Sequence, residues 1–166
     1  MNKFETELVE HIPSLRRYAR ALTANTGTAD DLVQDVLERA LIKKKLWHRE
    51  RCLRPWLFTI LHNTFINEVK HQSRRAALQL VEDSGSHVTC DAESLWIQEK
   101  LQQAICQLPQ DQRQVFLMVS LEGFTYEEVA SIMNTPVGTV MSRLSRARNR
   151  LRQLLQSTSS FAEGQK

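Results

Sequence analysis

Apolar residues recur every three to four positions along most of this chain, a spacing that predicts amphipathic helices. The first helix is expected from about Phe4 to Ala24, with Leu8, Leu15 and Tyr18 on its inward face. Pro13 falls inside it and is expected to kink or split it, because proline cannot donate a backbone hydrogen bond. Since nearly every apolar segment has this helical period, we predict an all-α protein.

A second helix is predicted after a loop at Asn25–Thr28, with Thr28 as the N-cap. Asp30 and Asp31 would lie in its first turn, where the helix dipole favours anions. Its outward face carries an acidic, polar strip: Asp31, Gln34, Asp35 and Glu38. Such a strip is typical of a solvated helix face, so the pattern alone assigns it no partner.

A basic block follows this helix. Cationic side chains surround Trp47 and His48: Lys43, Lys44, Lys45, Arg49, Arg51 and Arg54. Pro55 is expected to start the next helix, with Trp56 and Phe65 in the core. Its outward side chains are His62, Asn63, Asn67, Lys70, Arg74 and Arg75. Cations follow phosphates and flat side chains stack on bases, so the block indicates single-stranded DNA.

The segment Thr125–Leu155 predicts two helices around a tight turn. Thr125 and Glu128 have capping-box spacing. Asn134 and Thr135 break the pattern, and Thr135 is a suitable N-cap for a second helix that has Pro136 at its first position. Thr139, Ser142, Arg143, Arg146 and Arg150 lie on the polar side of that helix.

This arrangement is typical of a helix-turn-helix, whose second helix enters the major groove. Arginine can fork onto guanine, and a hydroxyl can contact a base or a phosphate. Gly138 costs about 1 kcal/mol relative to alanine inside a helix, so we expect it to permit close approach to another helix or to a DNA backbone. The alternative is a helical hairpin with a solvated arginine face.

The distribution of charge supports two nucleic-acid-binding halves. The net charge of the 166 residues is +3, but residues 1–75 carry 14 Lys/Arg and 9 Asp/Glu, residues 76–108 carry 1 and 5, and residues 109–166 carry 7 and 5. An acidic middle between basic ends would be repelled from nucleic acid. We therefore predict domains at 1–75 and 95–155, a flexible linker at 76–94 and a disordered tail at 156–166.

Other classes of function find little support in the composition. No segment approaches the roughly 20 apolar residues of a membrane span, and no signal-peptide core is evident, so a cytoplasmic protein is expected. His48, Cys52 and His62 lack a spacing that would fix metal-ligand geometry, and the cysteines have no C-x-x-C spacing. We predict no metal, no cofactor and no enzymatic activity, because no paired carboxylates, Ser/His/Asp set or supported phosphate loop is present.

Four segments together resemble the extracytoplasmic-function (ECF, group IV) sigma factors of bacterial RNA polymerase. They are DDLVQDVLERAL at Asp30–Leu41, RPWLFTILHNTFINEVKHQSRR at Arg54–Arg75, LPQDQRQVFLMVSLEGFTYEEVASIM at Leu108–Met133 and TPVGTVMSRLSRAR at Thr135–Arg148. The sequences of the second and fourth segments are similar to those of the family branch that controls general stress responses. The resemblance implies an N-terminal sigma helical bundle and a C-terminal helix-turn-helix domain.

The resemblance also implies partners and residue roles. The segment Thr28–Leu41 would bind the clamp of the largest subunit of core RNA polymerase, through Asp31, Gln34, Asp35 and Glu38. The −10 promoter element would be read and melted by Trp47, His48, Arg51, Asn63, Asn67 and Arg74. The helix-turn-helix, Tyr126–Ser145, would read the −35 element through Thr139, Ser142, Arg143 and Arg146, and its domain would contact the polymerase flap. An anti-sigma factor is the expected regulator, and no membrane insertion is expected.

Two positions depart from the family pattern. Asn67 stands where aspartate is more common, so the charge of a carboxylate is missing there, although asparagine can still hydrogen-bond. Met141 stands where a basic residue is favoured, so the preferred −35 sequence is expected to differ. Two other functions compete with the sigma factor. A conventional helix-turn-helix regulator would bind duplex DNA without polymerase, but its dimerisation helix would carry less charge than residues 46–75. An enzyme acting on nucleic acid has no supporting motif.

Overall fold

The computed structural model describes residues 3–47, 52–77 and 92–162, and every regular element in these ranges is helical. The helices are α1 (Lys3–Thr23), α2 (Thr26–Ile42), a short 3₁₀ helix (Lys44–Leu46), α3 (Leu53–Ala76), α4 (Ala92–Cys106), α5 (Gln110–Ser120), α6 (Tyr126–Met133) and α7 (Val137–Ala162). The all-α prediction is confirmed. The chain divides into two units, one built mainly from α1 to α3 and the other from α4 to α7.

The first unit is held together by apolar faces of its three long helices. Leu15 and Tyr18 of α1, Val36 of α2, and Leu57 and Phe58 of α3 are fully buried. The rings of Tyr18 and Phe58 pack edge to face, with centroids 5.2 Å apart. Burial of these large side chains provides the main driving force for packing α2 against α3, and it leaves the polar side of each helix outward.

The N-terminus of α2 differs from the prediction. Asn25, rather than Thr28, is the N-cap, and its side chain accepts a hydrogen bond of 2.9 Å from the Thr28 amide. Asparagine is among the strongest N-cap residues, so the helix starts three residues earlier than expected and takes Gly27 into its first turn. Asp30 and Asp31 consequently lie beyond the first turn, where the helix dipole has less influence.

Pro13 does not split α1, which is a single helix. Proline removes the hydrogen bond that would join its nitrogen to the Val9 carbonyl. Both residues lie on the exposed side of the helix. Water can therefore solvate the freed carbonyl, and the helix continues.

The second unit packs α5 and α6 against α7. Val115, Met118, Val129, Val140 and Ala147 line its core. The predicted capping box of α6 is confirmed by two hydrogen bonds, from the Thr125 amide to Glu128 Oε2 at 2.9 Å and from the Glu128 amide to Thr125 Oγ1 at 3.2 Å.

The turn between α6 and α7 is closed by backbone rather than side-chain contacts. Asn134 is left-handed, with φ 50° and ψ 50°, and the Thr135 amide donates to the Ala130 carbonyl at 3.0 Å. This is the geometry of a Schellman-type helix end. The predicted cap at Thr135 is wrong, because its buried Oγ1 makes no hydrogen bond to the described residues. The Pro136 carbonyl accepts the first amides of α7, from Thr139 and Val140.

The predicted linker and tail fall partly outside the described residues. Of the linker 76–94, residues 78–91 lie outside them, while Ala76 ends α3 and Ala92 begins α4. The helix α7 continues to Ala162, beyond the predicted start of the tail at Gln156. The sequence has neither glycine nor proline between Gln156 and Ala162, and the Ser157 hydroxyl donates to the Leu154 carbonyl at 3.0 Å.

Candidate nucleic-acid and protein interfaces

One side of α7 carries the predicted duplex-reading residues. Ser142 and Arg146 are exposed, whereas Thr139 and Arg143 are half-buried. These residues are three or four positions apart, so they share one helical face, while Val140 and its apolar neighbours are buried on another. The Ser142 hydroxyl donates to the Thr139 carbonyl at 3.0 Å. Its oxygen lone pairs therefore remain available to accept from a base amino group.

An ion pair holds Arg143 of this face in place. Its Nε lies 3.1 Å from Oδ2 of Asp111, which is in the first turn of α5. The Arg143 side chain is 24% exposed and that of Asp111 is 49% exposed. Sequence reasoning missed Asp111, because the two residues lie on different helices and no local periodicity connects them.

Gly138 and Met141, which the sequence analysis singled out, both lie near the start of α7. Met141 is 52% exposed and lines a surface cavity of about 310 Å³ together with Tyr126, Leu144 and Arg148. A Cβ added at Gly138 would meet no atom within 4 Å. Close packing against another helix therefore does not explain this glycine in the described protein, and the predicted approach to a DNA backbone stays a prediction.

The outer side of α3 forms a second polar face. Asn63, Asn67 and Arg74 are exposed and share one helical side. Lys70 lies three positions after Asn67 and is exposed on the same side. The face therefore combines two amides with two cations. Lys70 could have been assigned to this site from its spacing alone.

The remaining predicted −10 residues are placed differently. His48 and Arg51 lie outside the described residues. Trp47 is half-buried, and its ring packs on Phe4 of α1 with centroids 5.3 Å apart. Lys44 lies 5.6 Å from the centroid of the same Phe4 ring and donates to Glu5 Oε1 at 3.2 Å. These contacts fasten the segment after α2 to the start of α1.

The acidic strip of α2 lies opposite its buried face. Asp31, Gln34 and Glu38 are exposed and Asp35 is half-buried. They lie at i, i+3, i+4 and i+7, which places them in one row. The strip therefore offers several carboxylates and one amide to a basic partner.

Glu68 of α3 joins this acidic surface. Burial raises the pKa of the Glu68 carboxyl, and the negative charges of Asp35 and Asp31 raise it further, while Arg39 opposes them. These interactions place Glu68 within the electrostatic reach of the strip on α2. Sequence reasoning missed it, because the neighbouring charges come from a different helix.

The described residues show no cluster of three or more His, Cys, Asp or Glu side chains that could hold a metal ion. Cys52 is exposed at the start of α3 and Cys106 is half-buried at the end of α4. Among the described helices, none is long and apolar enough to cross a membrane.

Two family models match the chain, one in each unit. Residues 8–62 match the sigma2 domain of PhyR, and residues 98–151 match sigma-70 region 4. The first match covers the acidic strip of α2 and the start of α3. The second covers the whole helix-turn-helix and its arginine face.

Individual relatives extend the similarity over most of the chain. It is 37% identical to the ECF RNA polymerase sigma factor EcfG of Rhodopseudomonas palustris, over 90% of this chain and 83% of that protein. It is 32% identical to the ECF RNA polymerase sigma-E factor of Escherichia coli, over 74% and 71% of the two chains.

A solved structure agrees with these relatives. The sigma factor RpoE of Bartonella quintana, in complex with the anti-sigma factor NepR, has a TM-score of 0.84 to this chain at 34% identity. The match covers 94% of this chain and 98% of that one. With both helical units and most of its length matched, this chain belongs to the ECF sigma factors of RNA polymerase.

Proposed function

We propose that this ECF sigma factor binds core RNA polymerase through the acidic strip of α2, reads the −35 element through α7 and holds the melted −10 element on α3. The observation that carries the proposal is the presence of two different polar faces on separate units. One is an arginine and hydroxyl face on a helix-turn-helix, and the other is an amide and lysine/arginine face on a long helix. The polymerase then carries out the chemistry of transcription initiation.

The face of α7 fits duplex recognition. A helix-turn-helix brings the N-terminal part of its second helix to base edges in the major groove. Arg143 and Arg146 can fork onto guanine, and Thr139 and Ser142 can contact bases or phosphates. Contact of this domain with the polymerase flap is part of the same proposal.

The face of α3 fits a separated strand. The amides of Asn63 and Asn67 offer both donors and acceptors to base edges, and Arg74 supplies a cation for phosphate. His48 and Arg51 are included by family resemblance. Trp47 would support this surface from behind, because its ring packs on Phe4.

The acidic strip fits a basic protein surface. Asp31, Asp35 and Glu38 cannot bind DNA favourably, since phosphates would repel them. A polymerase clamp of opposite charge would pair with them and offset the mutual repulsion that Glu68 experiences. Gln34 would add a hydrogen bond between the carboxylates.

An anti-sigma factor is the proposed regulator. The Bartonella quintana RpoE structure contains the anti-sigma factor NepR, and the N-terminal half of this chain matches the sigma2 domain of PhyR. Together with similarity to EcfG, these findings support a place in the general-stress branch. The conventional regulator is not favoured, because the similarity to sigma factors extends over both units.

Transcription with purified core polymerase tests the −35 assignment. Arg143→Ala should lower promoter use by roughly 10-fold and relax preference at the −35 element, because a bidentate arginine–guanine pair contributes about 1–3 kcal/mol of discrimination. Arg150→Ala is the matched control: it removes an exposed arginine farther from the helix N-terminus and should reduce binding weakly, without changing preference. Equal loss of promoter preference and polymerase binding in Arg143→Ala would contradict the assignment.

Association with core polymerase tests the acidic strip. The double variant Asp31→Arg, Asp35→Arg should abolish co-purification while keeping the helical circular-dichroism signal. The control, Glu7→Arg with Glu10→Arg, reverses two charges on α1 and should still bind. Retained binding by the α2 variant would mean that the strip is only a solvated face.

A further inference from the structure

Asp111 contacts the DNA-reading arginine from a helix outside the helix-turn-helix. Its carboxylate is held at both oxygens: Oδ1 accepts from the Gln112 amide at 2.9 Å, and Oδ2 contacts Arg143 Nε at 3.1 Å. Asp111 also lies in the first turn of α5, where the helix dipole stabilises a negative charge. The carboxylate is therefore oriented by its own helix before it meets arginine.

The atom that Asp111 contacts matters for recognition. Nε is the guanidinium nitrogen nearest the aliphatic stem, and the two Nη atoms lie at the opposite, outer edge. Recognition of guanine O6 and N7 uses a pair of parallel donors on one edge of the guanidinium. A contact through Nε restrains the orientation of the group and leaves the two Nη atoms of the outer edge available to a base.

Burial restricts the arginine further. Its side chain is 24% exposed, much less than a solvated arginine on an open helix face, and α5 packs directly against α7. A long side chain that is already ordered loses less rotamer freedom when it binds. Asp111 itself is 49% exposed, so it lies near the site without filling it.

We propose that Asp111 is a positioning residue for promoter recognition: it holds the Arg143 guanidinium in the orientation that reads one base pair of the −35 element. Asp111 touches no DNA in this arrangement and acts through Arg143. The inference rests on the proposed reading of the −35 element by Arg143. It adds a specificity determinant on α5, outside the helix-turn-helix Tyr126–Ser145.

The proposed role predicts different effects on the preference for one base pair and on the total affinity for DNA. Removing the carboxylate frees the guanidinium to sample several orientations, so discrimination at one base pair should fall. Removing a negative charge near DNA also weakens repulsion, so total affinity should stay equal or rise slightly. An acidic residue that merely repelled DNA would change affinity alone.

The test uses the full chain in holoenzyme with core polymerase and a promoter library randomised at the −35 element, with the −10 element fixed. Asp111→Asn is the principal variant, because asparagine keeps the shape and can still accept from the Gln112 amide. We expect its preference at one base pair to fall on the order of 10-fold, the size of a lost bidentate contact. The control Glu99→Gln removes an exposed charge from α4, in the same unit but outside the helix-turn-helix, and should keep the wild-type preference.

A double-variant cycle completes the test. Asp111→Asn combined with Arg143→Ala should show the same base preference as Arg143→Ala alone, because Asp111 acts through that arginine. Additive losses in the double variant, or an unchanged preference in Asp111→Asn, would overturn the positioning role while leaving the −35 assignment intact. Wild-type base preference in Arg143→Ala would overturn both the positioning role of Asp111 and the −35 assignment of Arg143.

Discussion

At the scale of single residues, the charge of Glu68 is unfavourable in the free protein and favourable in the proposed complex with polymerase. Burial and the charges of Asp35 and Asp31 raise the pKa of its carboxyl. The folded protein therefore disfavours the carboxylate form relative to the unfolded chain. The wild-type protein gives up stability as the pH rises from the ordinary pKa of the carboxyl through its raised value.

We predict that Glu68→Gln raises the free energy of unfolding at pH 7, because glutamine resembles the protonated side chain that the fold prefers. The gain should vanish at about pH 3, where glutamate is protonated in both the folded and unfolded states. Urea unfolding at the two pH values measures this. The same variant should bind core polymerase more weakly, since a cationic partner loses one carboxylate.

A control separates this effect from general charge removal. Glu99→Gln removes an exposed carboxylate of α4, in the other unit, and should change the free energy of unfolding little at either pH. An equal gain for Glu68→Gln at both pH values would show that the charge of this carboxylate is not responsible.

At the scale of single helices, the sequence predicts caps and buried faces. The capping box of α6 depends on Thr125 and Glu128, which are three positions apart, and the structure has both hydrogen bonds. The buried faces of α3 and α7 also follow their apolar spacing, except that Trp56 of α3, predicted in the core, is half-buried. These features are local, so periodicity and capping rules are sufficient to find them.

Competing local signals caused the errors at helix ends. Asn25 and Thr28 can both cap α2, and the stronger cap prevails. Thr135 looks like a cap, but the left-handed Asn134 and the carbonyl of Pro136 organise that turn. At α2 the stronger of two nearby caps is used, and at the start of α7 a backbone carbonyl takes the place of the expected threonine side chain.

Local sequence patterns could not predict the contacts between helices. Arg113 of α5 donates to the carbonyls of Ile105 and Leu108 at 3.1 Å and to that of Cys106, so it closes the C-terminal end of α4. The pair of Asp111 and Arg143 and the pKa of Glu68 are of the same kind. Each depends on the angle and register at which helices pack, and a single sequence does not fix these.

At the scale of the whole molecule, two helical units, each with a proposed nucleic-acid-binding face, lie on either side of an acidic segment of the sequence. Residues 76–108 carry 1 Lys/Arg and 5 Asp/Glu, whereas both flanking segments have a net positive charge. Two modules on one chain bind cooperatively, because binding of the first raises the effective concentration of the second. The length of the segment between them should therefore set the strength of promoter binding.

Lengthening the predicted linker, 76–94, tests this dependence. If the linker is a flexible tether, a Gly/Ser insertion after Gly85 that doubles its length should lower the effective concentration of one unit at the other by about threefold, following the −3/2 power of length. Promoter occupancy at limiting holoenzyme should fall by the same factor, and the −35 and −10 preferences should not change. The same insertion after Glu163 is the control and should have no effect. A loss much larger than threefold would mean that residues 76–94 occupy a defined path on the polymerase, because a specific contact, unlike a tether, cannot tolerate a change of register.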